Sequence, residues 1–582
     1  MSKGSYPKRS HLVGVTLIGM IGFLVVAARL LFLQGVQQGQ WRLEARRGQE
    51  KAISVTPARG TIYDRNGRIL AVNMDTPSVY ANPSAIQNSD AVVRALAPIL
   101  PGTPRALNGK LNSKKQFVWL ARTLDPAKAA IVEGKGIKGV GLRMESKRFY
   151  PRRELLGHLL GFTGLDNQGL EGVERQYDAL LRGVAQSGII ERDAHGAPVF
   201  PKGFEYPAAP RGTDIHLTID EVVQYISERE LARGVQKARA KGGIAIVMAP
   251  QTGQILALAV HPRFNPNALE RSVPSAWRNR AVTDIYEPGS TFKIVTAAAS
   301  LEEGVVSEEE PIDCEQGRYQ VPGTRGATIH DHLPVGRVSF RDVIARSSNI
   351  GTVKVAQRLR PETLASYIRA FGFGDPLGID LIGEAAGIVR PTQDWSKRSL
   401  ASVAIGQEIG VTPLQMTVAM SALANRGLLM TPHLLRRDAT GCDTPTAGAD
   451  ACRPPWPARR VVSEATAERM SHILEEVVLS GTGTHAAIPG YAVAGKTGTA
   501  QKVDPDTGRY AEDRHVASFV GFAPVERPAI TILVLIDEPQ GVIWGGSVAA
   551  PVFASIGREV LHYLKVPPHV PENDPVRVAT LF

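Results

Sequence analysis

The sequence predicts an α+β protein in which strands from two distant parts of the chain build one antiparallel sheet. Residues 243–249 and 254–259 are apolar runs on either side of a Pro-Gln-Thr-Gly turn, which is typical of a hairpin. Residues 517–523 and 530–536 form a second pair of apolar, β-branched runs. The long middle has mainly helical patterns, so we expect a helical subdomain beside a sheet flanked by helices.

The chain is too long for one hydrophobic core, because it has 582 residues. We divide it at changes of composition and at turn-rich stretches. A polar tail covers residues 1–11, an apolar segment covers 12–33, and a mixed α/β domain of short strands and helices covers 34–212. The second domain, 213–566, opens with an amphipathic helix over 222–235 and is followed by a disordered tail, 567–582.

The apolar segment near the N-terminus predicts a single membrane anchor. Residues 12–28 carry no charge, and Arg29 lies where its side chain can reach the membrane surface. The alternative is a cleaved signal peptide, because 26–28 is a passable small-residue cleavage site. We favour an uncleaved anchor because apolar residues continue past that site. The preceding basic residues predict a cytoplasmic N-terminus, and they are Lys3, Lys8 and Arg9.

The charge distribution argues against a nucleic-acid-binding protein. The net charge is +11, but the basic residues are spread along the chain and never form a run of five. A nucleic-acid-binding surface would concentrate them in a stripe with interleaved aromatic residues. Solvated faces with a mild affinity for anionic surfaces such as membrane or cell wall are the expectation.

Three short motifs carry the functional signal of the chain. They are Ser290-Thr291-Phe292-Lys293, Ser347-Ser348-Asn349 and Lys496-Thr497-Gly498. Each motif is weak alone, since its residue types are common. Together and in this order, S-x-x-K, S-x-N and K-T-G are typical of serine enzymes that are acylated by penicillin or by the peptide that penicillin mimics.

The first motif has the residues that a serine nucleophile needs. A serine hydroxyl requires a neighbouring base, and residues three apart on a helix share one face. The turn at 287–289 and the Ala-rich pattern of 291–299 predict that Ser290 lies at a helix start. Burial of Lys293 against apolar neighbours should lower its pKa, so that the neutral amine takes the serine proton. Taken alone, Ser290 would be read as an ordinary helix cap.

The other two motifs complete the predicted site. Ser347 relays a proton to the leaving amine, and Asn349 contacts the lysine region and a substrate amide, although both could simply cap a helix. The 493–500 segment is typical of an edge strand on which Lys496 supplies positive charge; the alternative is a turn with a solvated lysine. The backbone N–H groups of Ser290 and Thr499 form the oxyanion hole. We assign substrate contacts to Ser348, Thr497, Gly498 and Thr499, with the two threonine hydroxyls holding a carboxylate.

Further segments resemble those of a known family, the class B penicillin-binding proteins, which are membrane-anchored transpeptidases that cross-link peptidoglycan. The resemblance covers nearly the whole chain. It is carried, outside the three motifs, by Arg59-Gly60-Thr61-Ile62-Tyr63-Asp64-Arg65-Asn66-Gly67 and by residues 169–174, 177–183, 279–284, 287–290, 406–408, 411–415 and 545–553. These segments are most similar to the division-specific (septal) branch.

The resemblance implies a penicillin-binding/β-lactamase-type transpeptidase domain over 213–566 and a non-catalytic, dimerisation-type pedestal over 34–212. It implies that Ser290 is acylated by a D-Ala-D-Ala stem peptide or irreversibly by a β-lactam, with no cofactor. It also implies an inner-membrane location with a periplasmic catalytic domain. The implied partners are a polytopic glycan polymerase and other division proteins, which would contact the anchor and pedestal.

Other functions remain alternatives at this point. The elongation branch shares the catalytic motifs and is the nearest of them. A D,D-carboxypeptidase or a β-lactamase would need neither pedestal nor anchor. A β-lactam sensor would need more membrane spans and a zinc-protease motif, and an inactive scaffold would not need an intact Ser290 and Lys293.

The cysteines and histidines predict no metal site. Cys442 and Cys452 bracket a polar loop, and the sequence leaves open whether they form a disulfide; Cys314 is left over and is expected to be buried. His330-Asp331-His332 has too few neighbouring ligands for a metal, so a polar loop is the expectation.

Overall fold

The computed structural model describes residues 9–42, 50–55, 57–184, 186–192, 198–199, 211–324, 326, 328–436, 458–504 and 507–568. The chain divides into two compact units. One consists of residues 1–58 and 183–212, and the other of residues 59–182 and 213–582.

The described strands are numbered in chain order. They are β1 Glu50–Val55, β2 Ile62–Tyr63, β3 Ile69–Ala81, β4 Val118–Ala121, β5 Val140–Phe149, β6 Gln186–Arg192, β7 Pro198–Val199, β8 Ile215–His216, β9 Gly242–Met248, β10 Ile255–His261, β11 Pro311–Asp313, β12 Arg318–Gln320, β13 Thr328–His330, β14 Arg337–Ser339, β15 Leu428–Met430, β16 Ala458–Arg460, β17 Ala494–Val503, β18 Tyr510–Ala523 and β19 Ile530–Asp537.

The described α-helices are numbered in the same way. They are α1 Arg9–Leu31, α2 Ser89–Leu96, α3 Pro104–Leu111, α4 Pro126–Gly134, α5 Gly157–Leu160, α6 Gly172–Gln176, α7 Asp178–Arg182, α8 Glu221–Lys237, α9 Arg280–Thr283, α10 Lys293–Glu302, α11 Phe340–Ala345, α12 Asn349–Ala356, α13 Pro361–Ala370, α14 Ser399–Ala404, α15 Pro413–Ala424, α16 Glu464–Leu479, α17 Gly545–Val548 and α18 Ala550–Tyr563. Short 3-10 turns cover Pro83–Ala85, Leu269–Arg271, Pro274–Ala276, Gly289–Phe292, Glu315–Gly317, Thr392–Asp394 and Thr484–Ala486.

The first unit contains the predicted anchor. Helix α1 continues as a π-helix over Phe32–Val36, and the apolar stretch Leu12–Val36 is long enough to cross a membrane. No part of this stretch is buried against the protein. Strands β1, β6 and β7 form a separate three-stranded sheet in the same unit. The helix suits a single-pass anchor, as the sequence predicts.

The second unit begins with a sheet built on a long strand. Strand β3 pairs along ten residues with β5, and the order of the other strands is β4-β3-β2-β8. The sequence predicted short strands here, whereas β3 has 13 residues. Helices α2, α3 and α4 cover part of this sheet through an apolar core that includes Leu96, Leu107 and Val132.

A buried ion network joins three of the segments that carried the family resemblance. The guanidinium of Arg59 is 1% exposed and donates to Glu174 Oε2 at 2.7 Å and to the Asp178 carboxylate. Arg148 donates to the other oxygen of Glu174 at 2.6 Å. A buried charge is tolerated only when it is paired and hydrogen-bonded. Gly60 is required beside this network because a Cβ atom there would lie 2.0 Å from the carbonyl oxygen of Thr213.

A five-stranded sheet lies in the region that the sequence assigns to the catalytic domain, and we call it the catalytic sheet. It has the topology that the sequence predicts. Its strand order is β10-β9-β19-β18-β17, and each neighbouring pair is antiparallel. Strands from the two ends of the domain meet where β9 pairs with β19. Helices α8 and α18 pack on one face through apolar residues such as Leu231 and Phe553. The predicted helix at 222–235 is α8.

A helical layer covers the opposite face of this sheet. All twelve residues of α15 are buried there, and α10 is buried over nine of its ten residues. This double coverage explains why β9 and β19 are apolar on both faces. The arrangement places the start of α10 beside the edge strand β17.

One segment of the first unit ends at residue 212, where the sequence places its domain boundary, but the predicted pedestal is divided between the two units. Residues 59–182 belong to the same unit as the catalytic sheet, and the backbone N–H of Leu156 donates to Glu228 Oε1 at 2.9 Å. Boundaries at residues 34, 212 and 566 therefore stay predictions. Residues 1–8 and 569–582, which are most of the two predicted tails, lie outside the described residues.

Candidate active site

The three sequence motifs meet at one cleft between the edge strand β17 and the helical layer. The cleft has a volume of about 230 Å³. It is lined by Glu287, Gly289, Ser290, Asn349, Ile405, Gln407, Thr499, Ala500, Gln501, His515, Ile543 and Trp544. One residue from each motif or its direct extension therefore faces the same space.

Ser290 lies on a tight turn that opens into a buried helix. The 3-10 turn Gly289–Phe292 leads directly into α10, so Ser290 precedes Lys293 by one helical turn, as the sequence predicts. The backbone N–H of Gly289 donates to the carbonyl of Gly406 at 3.0 Å, which fixes the turn against the loop after α14. The Ser290 side chain is half-buried on the cleft wall. It is accessible to a substrate carbonyl.

Lys293 is fully buried directly behind this turn. Its Nζ atom donates to the carbonyl of Ser347 at 2.7 Å and to Asn349 Oδ1 at 2.7 Å, and lies 3.3 Å from Ser347 Oγ. Burial lowers the pKa of the Lys293 amine to about 7, against a partial increase from the nearby Asp331 carboxylate. A large fraction of this lysine is therefore neutral near pH 7, as the sequence predicts.

Ser347 joins the two motif lysines. It has φ +61°, a left-handed conformation that is uncommon outside glycine, at the turn between α11 and α12. Its Oγ atom accepts a hydrogen bond from Lys496 Nζ at 2.8 Å. Lys496 is also fully buried, and burial together with the charge of Lys293 lowers its pKa well below the ordinary value. Protonating both buried amines would be unfavourable, because each charge is desolvated and the two charges repel each other.

Asp331 anchors the second motif and was missed as a functional residue by the sequence. Its carboxylate accepts from Ser348 Oγ at 2.6 Å and from the backbone N–H groups of Asn349 at 2.5 Å and Ile350 at 3.1 Å. These groups form the start of α12, where a negative charge is favourable. The sequence placed Asp331 in a polar loop; only its spacing before the motif could have suggested this contact.

Ser348 has a capping role in the structure. It is 1% exposed, and its Oγ accepts from the N–H of Gly351 at 3.0 Å while it donates to Asp331. Its hydroxyl thus has two protein partners. The predicted contact of Ser348 with substrate stays a prediction.

The third motif brings the edge strand against the 3-10 turn that carries Ser290. A Cβ atom at Gly498 would lie 2.5 Å from Ser518 Oγ and 2.8 Å from Thr291 Cγ2, so only glycine allows this approach. Thr499 lines the cleft, and its Oγ1 accepts from the N–H of Gly545 at 3.1 Å, which leaves its proton available to a ligand. Thr497 is buried and shares a 2.6 Å hydrogen bond with Thr482.

Glu287 adds a carboxylate to the cleft wall that the sequence treated only as part of a turn. Its Oε2 accepts from the Tyr510 hydroxyl at 2.8 Å and its Oε1 from the backbone N–H of Glu408 at 3.0 Å. Burial raises the pKa of the Glu287 carboxyl. Tyr510 begins β18, so this contact also joins the end of the β17–β18 hairpin to the segment just before the Ser290 turn.

The histidines and cysteines that the sequence singled out have the following places in the structure. Among the described residues, no group of three or more His, Cys, Asp or Glu side chains is arranged to hold a metal ion. His332 stacks against Trp544, with ring centroids 4.1 Å apart. Cys314 is a buried free thiol, as expected. Cys442 and Cys452 lie outside the described residues.

Comparison with known proteins identifies the family. The penicillin-binding protein transpeptidase domain matches residues 243–558, and the penicillin-binding protein dimerisation domain matches residues 54–217. The chain is 37% identical over 565 residues to stage V sporulation protein D of Bacillus subtilis (strain 168), covering 96% of this chain and 86% of that protein. It is 32% identical over 558 residues to the peptidoglycan D,D-transpeptidase FtsI of Escherichia coli (strain K12), covering 94% and 91%.

The fold agrees with these matches. The crystal structure of penicillin binding protein 3 from Mycobacterium tuberculosis, complexed with aztreonam, aligns with a TM-score of 0.68 and 28% identity. The alignment covers 89% of this chain and 99% of that one. With its three motifs gathered at one cleft and its two domain matches, the chain belongs to the class B penicillin-binding proteins, the family of peptidoglycan D,D-transpeptidases.

Proposed function

We propose that this protein cross-links the stem peptides of septal peptidoglycan through an acyl-enzyme on Ser290. The observation that carries the proposal is the position of Lys293, a buried amine one helical turn behind a cleft-lining serine. Its hydrogen bonds to Ser347 and Asn349 hold it there. A nucleophile, a base and a group that orients the base form the general arrangement of serine acyl-transfer sites.

In the first step, the neutral Lys293 amine takes the proton of Ser290 as Oγ attacks the carbonyl of the penultimate D-alanine. The negative charge on the carbonyl oxygen is stabilised by the backbone N–H groups of Ser290 and Thr499. The terminal D-alanine leaves with a proton that reaches its nitrogen through Ser347 Oγ. The 2.8 Å contact between Lys496 and Ser347 supports this relay.

Substrate orientation is assigned to residues around the same cleft. The Thr499 hydroxyl and the positive charge near Lys496 hold the terminal carboxylate, with Thr497 and Gly498 shaping the strand. Asn349 accepts from Lys293, and its Nδ2 donates to the carbonyl of His330 at 2.8 Å, so it positions the lysine. In the second step an amine of a neighbouring stem attacks the acyl-enzyme and releases Ser290.

Labelling with a fluorescent penicillin tests this assignment. The purified chain should form a covalent adduct that survives denaturation, and Ser290→Ala should form none. Ser366→Ala is the matched control, because Ser366 is an exposed serine whose hydroxyl only contacts the carbonyl of Thr363. Absence of label on the unchanged chain would defeat the enzyme assignment. Equal label on the Ser290 variant would place the nucleophile elsewhere.

The membrane side and the partners belong to the proposal as well. The basic residues before α1 support a cytoplasmic N-terminus in the inner membrane with the catalytic domain in the periplasm. A polytopic glycan polymerase and other division proteins would then contact the anchor and the pedestal. Protease added to intact spheroplasts should remove the catalytic domain; protection from the protease would contradict this orientation.

A role in sporulation is a second candidate for the same reaction. It is favoured by the 37% identity to a stage V sporulation protein, against 32% to FtsI. Depletion in the host separates the roles. Filamentous cells support septal synthesis, round cells support elongation, and normal growth with defective spores supports the sporulation role.

A further inference from the structure

Glu287 is the one acidic residue among those that line the cleft, and it has no role in the reaction proposed above. Glu287 lies three residues before Ser290 and lines the same cleft. Its two oxygens accept only from neutral donors, the Tyr510 hydroxyl and the Glu408 backbone. Within the described residues its carboxylate forms no salt bridge. The Glu287 charge is therefore partly desolvated and is not offset by a counter-cation.

The nearby carboxylate of Glu408, unlike that of Glu287, has a cationic partner. Glu408 pairs with the guanidinium of Arg390 and accepts from Ser399 Oγ at 2.8 Å. Its charge is therefore compensated inside the protein. Together with burial, the proximity of Glu408 raises the pKa of the Glu287 carboxyl, which makes Glu287 a better proton acceptor than an ordinary glutamate.

In the second step of the transfer reaction, the acceptor stem brings a cation that could pair with the Glu287 carboxylate. The acceptor is a primary amine of a neighbouring stem, and at neutral pH an alkyl amine carries a proton. Both amines behind Ser290 are buried, and the proposed mechanism leaves positive charge near Lys496. That charge disfavours the approach of an ammonium group. The other residues that line the cleft include no second acidic side chain that could offset this repulsion.

We propose that Glu287 binds the ammonium group of the acceptor stem and takes its first proton before the attack on the acyl-enzyme. This inference rests on the proposed acyl-enzyme at Ser290. The ammonium nitrogen gives one proton to the Glu287 carboxylate and becomes nucleophilic. A C–N bond then forms as the C–Oγ bond to Ser290 breaks, and the second nitrogen proton reaches Ser290 Oγ through Lys293. The product is an amide and free serine, so atoms and charge balance.

The test separates acyl-enzyme formation from its capture by different amines. The full chain in detergent is acylated with an acyl-D-alanyl thioester. The acyl group is then captured by Nα-acetyl-lysine, whose side chain is an ammonium, or by hydroxylamine, which is uncharged at neutral pH. Glu287→Gln keeps the size of the side chain and removes its charge. Glu512→Gln, an exposed glutamate on β18, removes the same charge away from the cleft.

We expect Glu287→Gln to lower capture by Nα-acetyl-lysine about 100-fold, the effect typical of a lost proton acceptor. Capture by hydroxylamine and acylation by fluorescent penicillin should stay within about threefold, and Glu512→Gln should resemble the unchanged chain. An equal loss with both amines would overturn the inference, as would unchanged capture of the lysine amine. A parallel loss of hydrolysis would assign Glu287 to water activation instead. Failure of the unchanged chain to bind penicillin would defeat the proposed function itself.

Discussion

Substitution of Asp331 tests whether its hydrogen bonds hold the Ser347–Asn349 turn in place. Replacing it with alanine removes three hydrogen bonds, from Ser348 Oγ at 2.6 Å, from the N–H of Asn349 at 2.5 Å and from the N–H of Ile350 at 3.1 Å. A hydrogen bond contributes a net of about 1 kcal/mol, and more when one partner is charged. Asp331 is half-buried, so water replaces part of the loss, and about 3 kcal/mol is a reasonable total.

This free energy stabilises the turn that carries Ser347 and Asn349 against Lys293. Because acylation requires the ordered turn, Asp331→Ala should lower the rate of penicillin acylation by up to roughly 100-fold. Asp331→Asn is the matched control. One amide oxygen can still accept from both backbone N–H groups, so we expect a loss of less than about tenfold.

The rate is measured by stopped-flow or time-resolved labelling, with thermal unfolding as a check that each variant is folded. A folded Asp331→Ala variant that acylates within threefold of the unchanged chain would refute the reasoning. So would an asparagine variant as slow as the alanine variant, because the carboxylate charge and not the hydrogen-bonding geometry would then decide the rate.

Three further predictions follow from the same structure. The pKa of Lys293 is lowered to about 7, and this amine must be neutral to act as the base. The acylation rate should therefore rise roughly tenfold per pH unit below pH 7 and level off above it. A flat rate profile from pH 5.5 to 8 would exclude this lysine as the base. Gly498→Ala places a methyl group 2.5 Å from Ser518 Oγ. Thermal unfolding should therefore show that the free energy of unfolding falls by about 1–3 kcal/mol, and penicillin labelling should slow. An unchanged melting temperature would contradict the close approach. Glu174→Gln leaves two buried guanidinium groups without their shared carboxylate and should destabilise the protein by about 3–5 kcal/mol in denaturant unfolding; a loss below 1 kcal/mol would mean that water compensates the arginines.

The order of strands and helices in the catalytic domain could be predicted from local patterns. Apolar runs at both ends of the domain marked β9, β10, β18 and β19, and the structure pairs β9 with β19 as expected. Burial of Lys293 was also predictable, because its neighbours in α10 are apolar or small. These features follow from hydrophobic periodicity, which is a local sequence pattern and can be recognised without knowing any long-range contact.

The supporting residues around the site could not be predicted in this way. Asp331 and Glu287 are ordinary polar residues in turns, and nothing in their neighbourhood distinguishes them from solvated side chains. Their roles depend on contacts with residues that lie up to 223 positions away, as between Glu287 and Tyr510. Sequence patterns likewise did not show that residues 59–182 belong to the same compact unit as the catalytic sheet, because contacts such as that of Leu156 with Glu228 join distant parts of the chain.

The sequence by itself determined the family and the candidate site residues, since the serine, the two lysines and the asparagine are specified by residue type and spacing. Tertiary structure alone decided their electrostatics: Lys293 and Lys496 have lowered pKa values because folding removes both amines from water and brings them to one serine hydroxyl. It also decided that a carboxylate faces the cleft at Glu287. The physical reason is that desolvation and charge proximity depend on distances in space, which spacing along the chain does not contain.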